Sequence, residues 1–187
     1  MKVNHHAQIV VNDYPYATQL NELVSPLLEN YSGGVGSTNV KATHTEWDWE
    51  PNKQIYPEAN AEINKLKVYL INEVYTYFMT HLYGKPQSSK YKNTVKIPHF
   101  WGNIYEKGDY AQVHHHDSMW TRFSFAYFVK SKWYHSPFVF TDNKKRIRPK
   151  EGRYVIFPSY VRHHVPKHRF NEQRITLSGN MCIQENI

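Results

Sequence analysis

The stretch IPHFWGNIYEKGDYAQVHHHD, residues 97–117, marks where the texture of the chain changes. Two runs rich in β-forming residues, Pro98–Tyr105 and Tyr110–His116, flank a Gly-Asp turn signal, and the second ends in three histidines and Asp117. Working outward, the same texture continues to the end of the chain. Short runs of Val, Ile, Phe, Tyr and Thr are punctuated by Gly, Pro, Asn and Asp. They predict strands at Arg122–Val129, Phe138–Phe140, Arg153–Phe157, His163–Pro166 and Gln173–Ile183. Lys150-Glu151-Gly152 reads as a tight turn feeding one of them. Seven short strands with turn signals between them suggest a sandwich or jelly-roll barrel.

The first half is mixed and helical. Gln8–Asn12 is a short apolar run that reads as a strand. Tyr16–Tyr31 carries Leu20, Leu23, Val24, Leu27 and Leu28 near helical period, with Pro26 expected to kink or split the helix. Asn39–Trp49 contains β-formers, with Trp47 and Trp49 alternating about Asp48. Glu58–Tyr83 is the clearest helix: Ile63, Leu66, Leu70, Val74, Tyr77 and Phe78 form one apolar stripe, and Gly84-Lys85-Pro86 stops it. Such a stripe is a packing face, and single-faced helices need a sheet to cover them. The expected class is therefore α+β, mainly β, with N-terminal helices packed on one sheet. The chain reads as one domain, 1–187, in which 1–93 is a mixed helical support, 94–187 is the core, and Gln87–Asn93 connects them.

Composition sets bounds. The chain has 187 residues, 40% of them hydrophobic and 16% aromatic, which is the balance of a folded globular protein rather than a disordered one. A net charge of +7 suits a polyanionic partner or a basic soluble enzyme. The densest basic run, Lys144–Lys150, follows the turn-like Thr141-Asp142-Asn143 and reads as a solvated hairpin tip in preference to a nucleic-acid patch. A lone cysteine, Cys182, excludes an internal disulfide and points to a reducing compartment. With no apolar run long enough for a membrane span and no signal-peptide pattern, the expected location is cytoplasmic.

Chemistry concentrates at His114-His115-His116-Asp117. Side chains two apart on a strand share a face, so two registers compete: His114 with His116, or His115 with Asp117. The first gives a three-histidine site once a distant histidine joins. The second gives two histidines and a carboxylate, a donor set of non-haem Fe(II) sites. The distant ligand comes from the segment holding His163 and His164, 49 residues beyond His114, and these two point to opposite faces. Arg174, 11 residues further on in an alternating strand, is suited to anchoring an acidic co-substrate. Its strand alternates Arg174, Thr176 and Ser178 with Ile175 and Leu177, so one face is polar, as either a lumen or a solvent face requires. There is no Ser/His/Asp or Cys/His nucleophile pattern, and Gly33-Gly34-Val35-Gly36 lacks the Lys-Ser/Thr of a phosphate loop.

Several phrases together resemble the Fe(II)/2-oxoglutarate-dependent oxygenase superfamily, in particular its small bacterial and phage branch related to prolyl hydroxylases. They are Trp101-Gly-Asn-Ile-Tyr-Glu-Lys-Gly-Asp109, His114-His-His116, Phe123-Ser-Phe-Ala-Tyr-Phe128, Gly152 before a strand, Phe157-Pro-Ser159, His163-His-Val165 and Arg174-Ile-Thr-Leu-Ser-Gly-Asn180. The resemblance implies a double-stranded β-helix, Fe(II) as metal, 2-oxoglutarate as co-substrate and O2 as oxidant. It implies His114, His116 and His163 as metal ligands, with His115 and Asp117 as the alternative register. It also implies Arg174 gripping the distal carboxylate of 2-oxoglutarate beside Thr176, with Tyr105 and Tyr127 at hydrogen-bonding positions and Asn103 and Asn180 as weaker candidates. The implied reaction is hydroxylation of a peptidyl residue, prolyl among them, or of a small molecule. Trp120, Trp133 and Tyr134 are placed at the mouth, where they suit an extended substrate. The competing readings are a cupin-like metal protein without 2-oxoglutarate chemistry and a basic nucleic-acid-binding or structural module. The oligomeric state is not legible from the sequence.

Overall fold

The computed structural model describes residues 9–34, 37, 39–79 and 95–183. The strands expected in the second half are all present: β4 (Val95–Tyr105), β5 (Tyr110–His114), β6 (Thr121–Lys130), β7 (Phe138–Phe140), β9 (Arg153–Pro158), β10 (His163–Val165) and β11 (Arg174–Ile183). Between β7 and β9 the basic run folds back as β8 (Arg146–Ile147) on β7, with Lys144 in the left-handed region at φ 57°. That is the expected hairpin tip. The tight turn before β9 is also present: Arg153 N–H donates to the Lys150 carbonyl at 3.0 Å, and Gly152 sits at φ +81°, where a β-carbon would be strained.

The first half contributes more than helices. Its strands β1 (Val10–Asp13), β2 (Val40–Lys41) and β3 (Thr43–His44) pair with β9, β5 and β4 respectively, all antiparallel. Two sheets result. The larger has the order β1-β9-β6-β11-β4-β3, and the smaller β2-β5-β10-β7-β8. Their facing sides bury Tyr105, Phe128, Phe138, Phe140, Val155 and Phe157. The strand order and the facing sheets are those of a jelly roll.

The outer face of the larger sheet is covered by α1 (Ala17–Glu29) and α2 (Pro57–Val74). Leu20, Val24 and Leu28, spaced by four, are fully buried, each worth about 1.5–3 kcal/mol. At Gly102 of β4 an added β-carbon would lie 2.8 Å from the Leu28 side chain, so α1 approaches the strand at this glycine. Of the two expected effects of Pro26, a kink or a split, the split does not occur: α1 runs through it. Leu20 on one side of it and Leu28 on the other are clamped to the same sheet, which outweighs the lost backbone bond. On α2, Ile63, Leu66, Leu70 and Val74 form the expected buried stripe. The wider π-turn Tyr75–Met79 then rotates the chain, which leaves Tyr77 exposed, off the stripe. Gln8, residues 80–83, the Gly84-Lys85-Pro86 stop, the Gln87–Asn93 connection, and Val35 and Gly36 lie outside the described residues. Among the described residues no helix is long and apolar enough to cross a membrane.

Candidate metal and co-substrate site

Strands β5 and β10 are neighbours in the smaller sheet, and their register sets His114 directly opposite His163. His116 follows two residues after His114, past the end of β5, with its backbone N–H anchored on the Ser159 carbonyl at 2.9 Å. The three rings converge. Their centroids lie 4.3 Å (His114–His163), 5.0 Å (His114–His116) and 5.1 Å (His116–His163) apart, and one ring nitrogen from each falls within 4.8 Å of the others. Three nitrogens bound at about 2.1 Å to one ion stand roughly 3–4 Å apart, so the cluster needs only a small contraction to close on a metal.

Two of the rings are held in a ligating tautomer. A carbonyl can only accept, so His114 Nδ1–H donates to the Gln112 carbonyl at 2.7 Å and His163 Nδ1–H to the Val161 carbonyl at 3.0 Å. Each Nε2 lone pair is left for an ion, the role such backbone bonds play behind metal-bound histidines. Burial disfavours the imidazolium forms. The pKa of His116 is pushed down to about 3, His163 well below its ordinary value, and His114 downward, in each case mainly by desolvation and then by neighbouring histidines. In His114 the Gln112 bond opposes the shift ahead of those neighbours. Neutral imidazoles are the metal-binding form.

Behind the triad, a cavity of about 110 Å³ runs between the sheets. The polar face of β11 lines it with Arg174, Thr176 and Ser178, so that face is lumen and not solvent. Arg174 is 1% exposed. Its Nε–H donates to the Ser136 carbonyl at 2.9 Å, its guanidinium carbon lies 4.8 Å from the Tyr105 ring centre and 5.1 Å from that of Phe128, and among the described residues Nη1 and Nη2 have no hydrogen-bond partner. Burial lowers its pKa to about 10 while Tyr105 opposes the shift, and the group remains a cation at neutral pH. A buried guanidinium with two free donor nitrogens and no counter-ion is an unfinished interaction, and a carboxylate completes it. Asn103, opposite Thr176 on β4, also lines the cavity. It donates from Nδ2 to Ser178 Oγ at 3.2 Å, and its Oδ1 has no partner among the described residues.

Not every expected residue is brought here. His115 and Asp117, the alternative register, are exposed: His115 edges the cavity but is not one of the three converging rings, Asp117 does not line it, and the Asp117 N–H donates to His115 Nδ1 at 3.2 Å. Once His114 faces inward, the period of two turns both away from His163. His164 lies on the opposite face of β10 beside Thr141 Oγ1. Tyr127 is corrected: it projects from the helix-covered side of β6, and its hydroxyl donates to Asn21 Oδ1 at 2.8 Å. Asn180 accepts from Ser124 Oγ at 2.9 Å and does not line the cavity. Trp133 and Tyr134 are not at the mouth. They belong to the loop behind Arg174, where Tyr134 packs on Phe170.

Two contributors were not foreseen. His44, on β3, is 2% exposed, lines the cavity and lies nearly parallel to Trp101 at 5.7 Å, and the Trp101 ring is in turn 5.8 Å from His116. Ser136 holds Arg174 through its carbonyl. The alternating Thr43-His44-Thr45 is a faint signal for the first. A backbone contact such as the second leaves none.

Comparison with known proteins adds to this geometry. A family model described as "Putative 2OG-Fe(II) oxygenase" matches residues 139–180, the span that carries His163, Arg174 and Thr176. No curated protein matches the chain in sequence. Among solved structures, the chain is similar to the viral collagen prolyl hydroxylase of Paramecium bursaria Chlorella virus-1 in its 2OG complex. That match has 14% identity, a TM-score of 0.65, and covers 96% of this chain and 98% of that one. It is similar to a Pseudomonas putida prolyl-4-hydroxylase, with 13% identity, a TM-score of 0.66, and coverage of 96% and 94%. It is also similar to HygX of Streptomyces hygroscopicus, solved with nickel and 2-oxoglutarate, with 8% identity, a TM-score of 0.62, and coverage of 95% and 83%. The shared fold is the jelly roll of 2-oxoglutarate oxygenases.

Proposed function

We propose that this chain is an Fe(II)- and 2-oxoglutarate-dependent oxygenase in which His114, His116 and His163 hold the metal and Arg174 holds the co-substrate. The observation that carries the reading is the pairing of two unfinished sites in one cavity: three converging neutral imidazoles and a buried guanidinium whose Nη1 and Nη2 have no hydrogen-bond partner among the described residues. A metal protein without an acidic co-substrate has no use for that second feature, which sets the cupin-like alternative aside.

Bound together, Fe(II), 2-oxoglutarate and O2 supply the oxidising chemistry: a substrate C–H becomes C–OH, while 2-oxoglutarate leaves as succinate and CO2. The chain's residues bind, orient and exclude water. His114 and His163 present Nε2 because their Nδ1–H groups are held by carbonyls. Arg174, fixed at Nε by Ser136, offers two parallel N–H donors to the distal carboxylate, and Thr176 and Asn103 stand beside it on the same wall. Tyr105 and Phe128 sheathe the guanidinium and keep water from competing for it. Three neutral ligands leave the dication's full charge in place, so a dianionic co-substrate stabilises the metal as well as the arginine.

The acceptor would dock outside this cavity. Met119, Trp120 and Tyr160 are 76%, 73% and 56% exposed; Tyr160 directly follows Ser159, whose carbonyl accepts from the His116 N–H, and Met119 and Trp120 follow His116 by three and four residues. This apolar rim suits a peptidyl substrate, prolyl residues included, over a small polar metabolite. The test is succinate formation from 2-oxoglutarate under air with Fe(II), first without acceptor and then with a panel of proline-containing and other peptides. Fe(II)-dependent succinate that rises with a peptide supports the assignment. The absence of succinate under all conditions overturns it.

A further inference from the structure

Trp133 is 71% exposed, and among the residues lining the catalytic cavity it has no place. It sits instead on a separate surface groove of about 480 Å³, with Lys132 beside it and Arg148, Lys150 and Arg153 across from it. Its ring stands edge-on to Tyr134 at 5.7 Å, and Tyr134 packs on Phe170 at 4.8 Å, so the indole is backed by a fixed aromatic pile. We propose that this groove binds single-stranded nucleic acid, with a base stacked on Trp133 and phosphates on Lys132, Arg148 and the neighbouring hairpin cations.

Charge supports this partner over an apolar one. Lys150 and Arg153 share Asp13, and Glu151 Oε1 accepts from the Ser131 N–H at 3.1 Å, so the two carboxylates near the groove are already engaged. Arg148 and Lys132 are exposed. The β7–β8 hairpin adds Arg146 on the same side as Arg148, because Ile147 between them is buried in the inter-sheet core. Two extended residues span about 6.6 Å, a repeat that two successive phosphates of an extended strand can follow. Lysines and arginines with an exposed aromatic platform form the pattern by which single strands are held without sequence preference. The basic run Lys144–Lys150 thus stays a hairpin, and its base is one wall of the groove.

The test is fluorescence anisotropy of a labelled dT20 oligonucleotide with the full chain, without metal or 2-oxoglutarate. Binding is expected to weaken with salt with a log–log slope of about −2, as about three phosphate contacts require. Trp133→Ala is expected to weaken it about tenfold and Trp133→Phe much less, because phenylalanine keeps a stacking face. Lys132→Ala/Arg148→Ala is expected to reduce the salt slope by about 1.4. Lys53→Ala, a distant exposed lysine, is the control for total charge. All these positions are exposed and outside the catalytic cavity, so metal and 2-oxoglutarate binding should be unchanged in every variant. Absence of binding at 50 mM salt overturns the proposal. So does binding that Trp133→Ala leaves intact, or that Lys53→Ala, one cation against the groove pair's two, weakens by half the pair's effect on log affinity or more.

Discussion

Replacing Arg174 with methionine should move two properties in opposite directions. In the ligand-free protein the guanidinium is buried without a counter-ion among the described residues, and burial lowers its pKa from 12.5 to about 10. That depression corresponds to about 3 kcal/mol against the charged form. Methionine removes this cost but also removes the bond to Ser136, about 1 kcal/mol, and the stacking against Tyr105 and Phe128, about 1 kcal/mol together. The balance is close to zero or a gain of about 1 kcal/mol, a Tm change between none and about +4 °C for a chain of this size. Truncating an ordinary buried side chain costs roughly 2–5 kcal/mol instead. The ligand response should reverse. With Zn(II) as a redox-silent metal, 2-oxoglutarate at a hundred times its Kd should stabilise the unsubstituted protein by about 2.7 kcal/mol. The variant should show almost none of this, because two charge-assisted donors are gone. Differential scanning fluorimetry with metal, with and without 2-oxoglutarate, reads both effects. A variant that loses more than about 2 kcal/mol without ligand, or that keeps the 2-oxoglutarate shift, would refute the reasoning that Arg174 is strained alone and satisfied by a carboxylate.

Three further outcomes are expected. His163→Ala should abolish high-affinity Zn(II) or Fe(II) binding by calorimetry, while His115→Ala should change it by less than threefold; equal losses would reject the chosen register. The metal-free protein should be most stable above pH 6.5 and lose stability as pH falls. His116 and His135 stay neutral in the folded state down to about pH 3 and 4, the unfolded chain protonates them near 6.5, and each contributes up to about 1.4 kcal/mol per pH unit to the loss. Urea titrations from pH 8 to 5 that show flat or rising stability would contradict this. Tyr127→Phe should cost about 1 kcal/mol of stability through the lost bond to Asn21, with no change in 2-oxoglutarate affinity; a tenfold weakening of 2-oxoglutarate binding would restore Tyr127 to the site.

What the sequence disclosed follows from which forces are local. Strand alternation and turn residues are local, so the longer strands between Val95 and Ile183 and the turn at Gly152 were legible, while the two-residue β8 was read only as part of a hairpin tip. The same backbone period paired His114 with His116 and His115 with Asp117, but which pair faces inward was not legible from periodicity, because it depends on the pairing of β5 with β10. The side of β6 that carries Tyr127 was not legible: nearly every residue of that strand is buried, with helices on one side and the second sheet on the other, so no polar alternation tells the faces apart. The short strands β2 and β3 exist only because they pair with β5 and β4, which hid His44. Pro26 read as a kink or a split because its helix propensity is local, whereas the burial of Leu20 and Leu28 that keeps the helix continuous is tertiary. Trp133 and Tyr134 were assigned to the mouth on composition alone, and loop direction placed them behind Arg174.

The most direct measurement is the visible spectrum of the protein titrated anaerobically with Fe(II) and then with 2-oxoglutarate. A weak charge-transfer band should appear only when both are present, with one iron per chain, and should be missing in His163→Ala and in Arg174→Met at the same ligand concentration. A spectrum that stays featureless in the unsubstituted protein, or a band that survives the loss of His163, would contradict an iron centre built from these three imidazoles.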